Sequence, residues 1–362
     1  MNRVLRWAII GLAALLCLPT AAMAAAPLQK VKVLLAVRTV DEAFSPYTVA
    51  KYMGYFAQEG LDVDLLPVGG SNEVAIEVSA GNADVGAASP GEALVGIETG
   101  KLGIRFFYDC YYRNIWSISV PTDSAIKTLA DLKGKKLGVQ SMGSAGVTFA
   151  RAFVQSAGLD PDKDITFVAI GVGAQAINAL RQHAVDGIVF WDEALVKMSF
   201  AGLKVRPLPV PEALAGLPDT SMLARTETLT KDPKMLIGVA RAVAKGYDFT
   251  MANPQAAVEI TWKLFPEAKP GNMSEAQALK AGITVNQGRM AIWETPQTKE
   301  KHGLFIESQW KNLVDFLVKA KILKTPLSSD RIYTNALIDQ SNDYDRAAVI
   351  AQAKHFDLAK LK

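Results

Sequence analysis

The chain has 362 residues, of which half are hydrophobic and 21% charged, enough apolar side chain for a large core and too much for a disordered polymer. Its 39 Lys and Arg against 36 Asp and Glu leave a formal charge of +3, and the one compact basic run spans 133–136. Nucleic acid therefore has no electrostatic footprint here, and the length argues for two domains or one domain in two lobes.

The first residues, MNRVLRWAIIGLAALLCLPTAAMA, carry Arg3 and Arg6, an apolar run from Trp7 to Leu18, and a small-residue site at Ala22-Met23-Ala24. This reads as a secretory signal peptide over 1–24. The run, at about 12 residues, is shorter than the roughly 20 needed for a permanent span. Leu16 before Cys17 is not the small residue of a lipid-attachment signal, so a soluble exported product is expected. Its removal leaves Cys110 as the only cysteine, which excludes an intramolecular disulfide.

Val31–Val37 is a continuous apolar strand, and the loop Arg38–Ser45 leads into a helix over Pro46–Gln58, with proline at its first turn. Gly60 closes that helix. Leu61–Val68 is the next strand and ends at Gly69-Gly70-Ser71-Asn72; a helix follows to Ala80, then a third strand, Val85–Ala88, running into Ser89-Pro90-Gly91-Glu92. The segment Leu102–Pro121, rich in aromatic residues, has apolar strand patterns and is expected to cross between lobes.

The same syntax returns roughly 100 residues later. A charged turn leads into the strand Leu137–Val139, which stops at Gln140-Ser141-Met142-Gly143-Ser144-Ala145-Gly146; a helix runs from Gly146 to Ala157. Gly158-Leu159-Asp160 matches Gly60-Leu61-Asp62, the strand Ile165–Ile170 runs into Gly171-Val172-Gly173-Ala174, and Gly187–Phe190 ends at Trp191-Asp192-Glu193. Even the exits agree: Glu92-Ala93-Leu94-Val95 and Glu193-Ala194-Leu195-Val196. Two matched units predict an α/β protein of two lobes, each a mostly parallel sheet flanked by helices, with six loops at strand carboxyl ends lining one cleft. A return crossing is expected near Asp219–Ala224, and helices at 232–251, 254–264, 274–294 and 307–321 are expected to pack on the first lobe. That divides the chain into a first lobe of 25–118 and 219–362 and a second lobe of 119–218.

The loop at 140–146, a strand end meeting a helix start, gathers backbone N–H groups and small hydroxyls around one point beside the positive end of a helix dipole, which suits an anionic or polar group. It also has an ordinary reading as a tight turn with a serine N-cap, and it is not a nucleotide P-loop, since its lysines precede the strand. Gly171-Val172-Gly173-Ala174-Gln175-Ala176, with Asp192 about twenty residues on, fits a dinucleotide fingerprint, but the loop is not the first of its unit. His183, His302 and His355 are scattered and no Cys/His cluster has zinc spacing, so no metal, cofactor or catalytic group is expected. Trp191 ends an apolar strand at the cleft edge, where a flat ring can stack on a planar ligand. Tyr108, Tyr111 and Trp116 are further ring candidates, whereas Phe106 and Phe107 belong to core packing.

YFAQEGLDVDLLPVGGS, GNADVGAAS, TLADLKGKKLGVQSMGSAG and the closing IYTNALIDQSNDYD, with the leader and the repeat, together resemble the periplasmic substrate-binding proteins of ABC importers. The group is the NMT1/THI5-like one of sulfonate, nitrate, taurine and thiamine-pyrimidine binders. The resemblance implies a hinged two-lobe fold of type II, a periplasmic monomer without enzyme activity, and delivery of one small molecule to an ABC permease. It implies ligand contacts at Asp41, Glu42 and Phe44; Gly70, Ser71 and Asn72; Ser89 and Glu92; Ser141, Gly143, Ser144 and Ala145; Gly173 and Gln175; and Trp191 and Glu193. The cysteine-rich motif of the eukaryotic pyrimidine synthases is absent, which sets suicide-type synthesis aside. An enzyme on the same fold is the rival class. Arg38 is the one obvious cation in these loops, so a planar heteroaromatic or amine-bearing ligand is expected, with a sulfonate or carboxylate as the alternative.

Overall fold

A computed structural model describes residues 27–361 apart from 211 and 272; the expected leader, 1–24, lies outside the described residues. In chain order the strands are β1 (Gln29–Leu35), β2 (Leu61–Pro67), β3 (Val85–Ala88), β4 (Ile104–Asp109), β5 (Trp116–Pro121), β6 (Lys135–Val139), β7 (Ile165–Ala169), β8 (Gly187–Trp191), β9 (Val205–Pro207) and β10 (Ser221–Arg225). They form two five-stranded sheets of identical plan, β2-β1-β3-β10-β4 and β7-β6-β8-β5-β9. β1 runs parallel to β2 and β3, as β6 does to β7 and β8, while β10 and β5 insert antiparallel. The repeat read in the sequence is thus a repeat of topology, and it extends to single bonds. In the matching turns Asp84 accepts from the Lys32 amide of β1 and Asp186 from the Lys136 amide of β6, each at 2.8 Å. The antiparallel strands are what sequence periodicity did not separate: the expected boundary at 118/119 falls inside β5, whose Trp116 already pairs with Trp191 in the second sheet.

The chain passes between the sheets twice, and the two passages lie side by side. The Thr220 carbonyl accepts from the Cys110 and Tyr111 amides at 3.1 Å each, and the Asp219 amide donates to the Tyr111 carbonyl at 2.9 Å. These crossings form the base of the cleft.

Each parallel unit carries its helices where expected: α1 (Ser45–Tyr52), α2 (Ser71–Ala80) and α3 (Gly91–Glu98) in the first, α4 (Ala145–Ser156), α5 (Ala174–Arg181) and α6 (Asp192–Phe200) in the second. The helix expected over Pro46–Gln58 is broken at Gly54, whose φ of +71° suits only glycine and starts a separate turn at Tyr55–Gln58. After β10 come α7 (Pro233–Ala252), α8 (Pro254–Leu264), α9 (Glu275–Trp293), α10 (Glu307–Lys319) and α11 (Arg346–Lys354). Asp232 and Asn253 cap α7 and α8 immediately before their prolines, as the sequence pattern requires. Helices α7 and α8 pack on α1, and α9 packs on α8 while reaching across to α6. Among the described residues no helix is long and apolar enough to cross a membrane.

Gly246, inside α7, is where this packing is closest: a Cβ there would stand 1.9 Å from the Pro46 carbonyl oxygen. Backbone on both sides leaves nothing soft to move. Gly246→Ala is expected to destabilise the chain by about 1–3 kcal/mol or more, read as a lower urea midpoint with an unchanged slope.

Candidate functional site

The loops that follow β1, β2 and β3 face those that follow β6, β7 and β8, and the two sets touch. A Cβ on Gly70 would lie 2.9 Å from the Gly143 carbonyl oxygen, and the Thr148 hydroxyl of α4 donates to Glu92 of α3 at 2.5 Å. At the base of the cleft the Trp116 indole N–H donates to the Ser89 hydroxyl at 3.3 Å, and that hydroxyl donates to Asp219 at 2.6 Å. Gly146 is explained by the same indole: a Cβ would fall 2.7 Å from the Trp116 ring. The glycine that ends the Gly/Ser loop makes room for an aromatic wall.

Three adjoining cavities run along the junction. The innermost, about 30 Å³, is lined by Phe44, Ser71, Ser89, Tyr111, Trp116, Trp191, Thr220 and Arg289. A second of about 220 Å³ is lined by Thr39, Asp41, Gln140, Gly173, Trp191, Glu193 and Lys197. A third, about 280 Å³, opens between Arg38, Gly70, Asn72, Ser141 and Gly143. Trp191, at the end of β8, borders the first two. Its ring meets Trp116 edge-on at 5.6 Å, and its indole N–H donates to the Glu193 carboxylate.

An ion cluster ties one side of the junction. The Lys197 ammonium of α6 lies 3.0 Å from Asp41, 2.7 Å from Glu42 and 3.2 Å from Glu193. Glu42 also accepts from the Trp262 indole of α8. One cation cannot neutralise three buried carboxylates, so a proton is held in the group. Burial, and then the Glu193 charge, push the Asp41 carboxyl up to about 8. Burial acts the same way on Glu193, but Lys197 and Arg289 outweigh it and hold Glu193 below its ordinary range. Burial also opposes the charge on Lys197, yet Asp41, Glu193 and Glu42 hold it well above its ordinary value.

Arg289, on α9, is a further cation of the cleft beside Arg38 and Lys197, and was invisible to a reading confined to the loops. It is 2% exposed, pairs with Asp192 at 2.9 Å through Nη2, and stacks over the Tyr111 ring at 4.8 Å, while its Nε and Nη1 have no partner. An unmet buried donor costs about 1–3 kcal/mol. A signal for it did exist, since Gly282, Val285, Asn286, Arg289 and Trp293 are buried at helical spacing and put an arginine on the inner stripe of α9.

The predicted residues sort clearly. Phe44, Ser71, Ser89, Trp116 and Trp191 surround the innermost cavity, Asp41, Gly173 and Glu193 the second, and Gly70, Asn72, Ser141 and Gly143 the third. Glu42 and Glu92 sit in contacts between the two halves. Ser144 caps α4 through the Gly146 amide and is buried with Ala145 behind the cavities, so the ordinary reading of that serine holds. Gln175 is exposed and lines none of the three cavities. Tyr108 is corrected: it is fully buried between the first sheet and the C-terminal helices, stacked on Tyr247 and covering Gly303. Its place in β4 turns its ring away from the cleft. Lys197, Thr220, Gln140 and Arg289 line the cavities without having been singled out in the sequence. Asp192, the acid of the dinucleotide-like pattern, is taken by Arg289.

The pH dependence of the contact between the halves has a definite sign. Asp41 is raised from the ordinary carboxylate value of 3.8, so its contribution to the contact with Glu193 and Lys197 is full below about pH 4 and is lost as pH rises through about 8. Burial raises Asp219 to about 7, and it acts in the same direction. Glu193, held low, contributes above 4.5 and loses that contribution as pH falls. Small-angle scattering is expected to give a more compact protein at pH 5 than at pH 8, with Asp41→Asn, a stand-in for the protonated acid, flattening the difference.

A family model described as NMT1/THI5 like matches residues 41–257. The riboflavin-binding protein RibY of Chloroflexus aurantiacus is 22% identical over 301 residues, 82% of each chain. A solved structure from Bordetella bronchiseptica RB50 matches with a TM-score of 0.69 at 21% identity, over 87% of this chain and 97% of that one. The alkanesulfonate-binding protein SsuA of Xanthomonas axonopodis pv. citri, solved with MOPS, matches at 0.63 and 18% identity, over 86% and 99%. With paired sheets of one plan, two crossings and a cleft between strand ends, the architecture is that of the periplasmic binding proteins, and the chain belongs to the NMT1/THI5-like family.

Proposed function

We propose that this protein is an exported solute-binding protein that closes over one small planar molecule and delivers it to an ABC permease. The observation that carries the reading is the innermost cavity at the crossings, bounded by Trp116 and Trp191 from one sheet and by Ser71 and Ser89 beside the other. Ligand contacts to both walls favour the closed arrangement of a hinged pair, and the two crossings are the segments able to flex. The lobes divide at the two crossings, with β5 belonging to the second lobe and β10 to the first. The protein acts as a monomer in the periplasm, without catalysis or a cofactor.

The favoured ligand is a planar heteroaromatic. Two indoles, Phe44 and Tyr111 supply aromatic lining, while the Ser71 hydroxyl is free to donate and the Ser89 and Thr220 oxygens, which donate to Asp219, are free to accept at polar edges. The innermost space of about 30 Å³ holds little more than a water in the closed arrangement, so a ring is admitted by parting the walls toward the 220 Å³ cavity that Trp191 also borders. The riboflavin-binding relative supports a flat ring system, and the alkanesulfonate-binding neighbour keeps a small anion as the second reading.

Calorimetric titration of the mature protein with riboflavin, 4-aminopyrimidine and methanesulfonate tests the choice. Trp191→Ala is expected to weaken an aromatic ligand by about 1.5–3 kcal/mol, on the order of 10- to 100-fold in Kd. Ser144→Ala is expected to leave that affinity within a few-fold, since its hydroxyl caps α4; the opposite pattern supports the anion.

A further inference from the structure

We propose that Arg289 is the residue that selects the ligand, and that it reads an uncharged hydrogen-bond acceptor, a ring carbonyl, rather than a carboxylate or sulfonate. This deepens the planar-ligand reading and rests on it.

The guanidinium lines the innermost cavity from α9, outside the span that the family model matches. Nη2 is engaged by Asp192, and one face of the group lies on the Tyr111 ring, part of the first crossing. Its in-plane donors at Nε and Nη1 are unmatched although the side chain is 2% exposed. Asn286, one turn earlier on the same helix, is fully buried with both amide atoms also unmatched. Spacings of four and three residues put Gly282, Asn286 and Arg289 on one face, and that face meets Glu42 at Gly282 and Asp192 at Arg289. Buried polar groups in folded proteins are ordinarily paired, so Arg289, the one of these two that lines the cavity, marks a place where a partner arrives.

The surrounding charge decides what kind of partner. Asp192 already neutralises Arg289, and Glu193 and Asp219 also act on it. Lys197, the other cation on this side, is shared among Asp41, Glu42 and Glu193. An incoming anion gains one guanidinium that is already paired and faces several carboxyl groups. A neutral carbonyl takes the free N–H groups without that repulsion. The hydroxyls of Ser89 and Thr220, which line the same cavity and already donate to Asp219, are left with acceptor capacity for a ring N–H.

The test compares three planar six-membered probes of similar size, 2-pyridone, benzoate and aniline, by ligand-observed NMR on the full mature chain. The wild type is expected to bind 2-pyridone at least tenfold more tightly than benzoate or aniline, a ranking that needs no variant. Arg289→Gln is expected to lose at least tenfold for 2-pyridone alone, and Arg289→Lys, able to pair with Asp192, to recover only part of it; thermal unfolding of each variant confirms that it folds. Trp191→Ala is expected to weaken all three probes together. Benzoate binding as well as 2-pyridone, or Arg289→Gln keeping full 2-pyridone affinity, overturns the role of Arg289 and leaves the planar-ring reading standing. Probe binding unaffected by Trp191→Ala, or no binding of any planar probe to the wild type, overturns the ring reading and this inference with it.

Discussion

Each sheet is completed by a strand that arrives from the other half of the chain, and the remaining architecture depends on that exchange. Strand β5 enters the second sheet directly after the first crossing, and β10 enters the first sheet directly after the return. Because both insert antiparallel beside β8 and β3, the crossings emerge at the carboxyl ends of the parallel strands. Backbone bonds between Tyr111, Asp219 and Thr220 then tie the crossings together. The loops best suited to hold a ligand have no alternative but to face one another across it.

Chemistry in the cleft is dominated by burial. Two cations, Lys197 and Arg289, stand among Asp41, Glu42, Asp192, Glu193 and Asp219, and most of these charged groups are buried at the junction of the halves. Buried ion pairs contribute little net stability, because desolvation offsets attraction, but they set geometry strictly. Here the pairs join groups on opposite halves: Lys197 of α6 to the turn after β1, Arg289 of α9 to Asp192 at the start of α6. The cost of leaving any of them unpaired makes the contact between the halves sensitive to a proton.

Much of the fold was legible. The apolar runs of β1, β3, β6 and β8 and the matched Gly60-Leu61-Asp62 and Gly158-Leu159-Asp160 turns are local, and their spacing alone suffices to build two similar units. The loops at strand ends do converge: Phe44, Ser71, Ser89 and Trp191 meet at one cavity, although Trp191 lies more than a hundred residues from the other three. Tyr108 was misread because an aromatic residue in a strand points to either face, and only the C-terminal helices decide which face is core. Arg289 was overlooked because it is distant in sequence from every loop and becomes part of the cleft only when α9 reaches across to α6.

The sequence by itself determined the class of fold, the repeat and the six loops, since strand periodicity, glycine turns and helix caps are properties of neighbouring residues. It also determined that Trp191 would stand at an edge, because an apolar strand stops there. The tertiary structure alone decided the polarity of the site. Charge balance depends on which acids and bases share a desolvated space, and that is set by distances between elements that no local pattern contains.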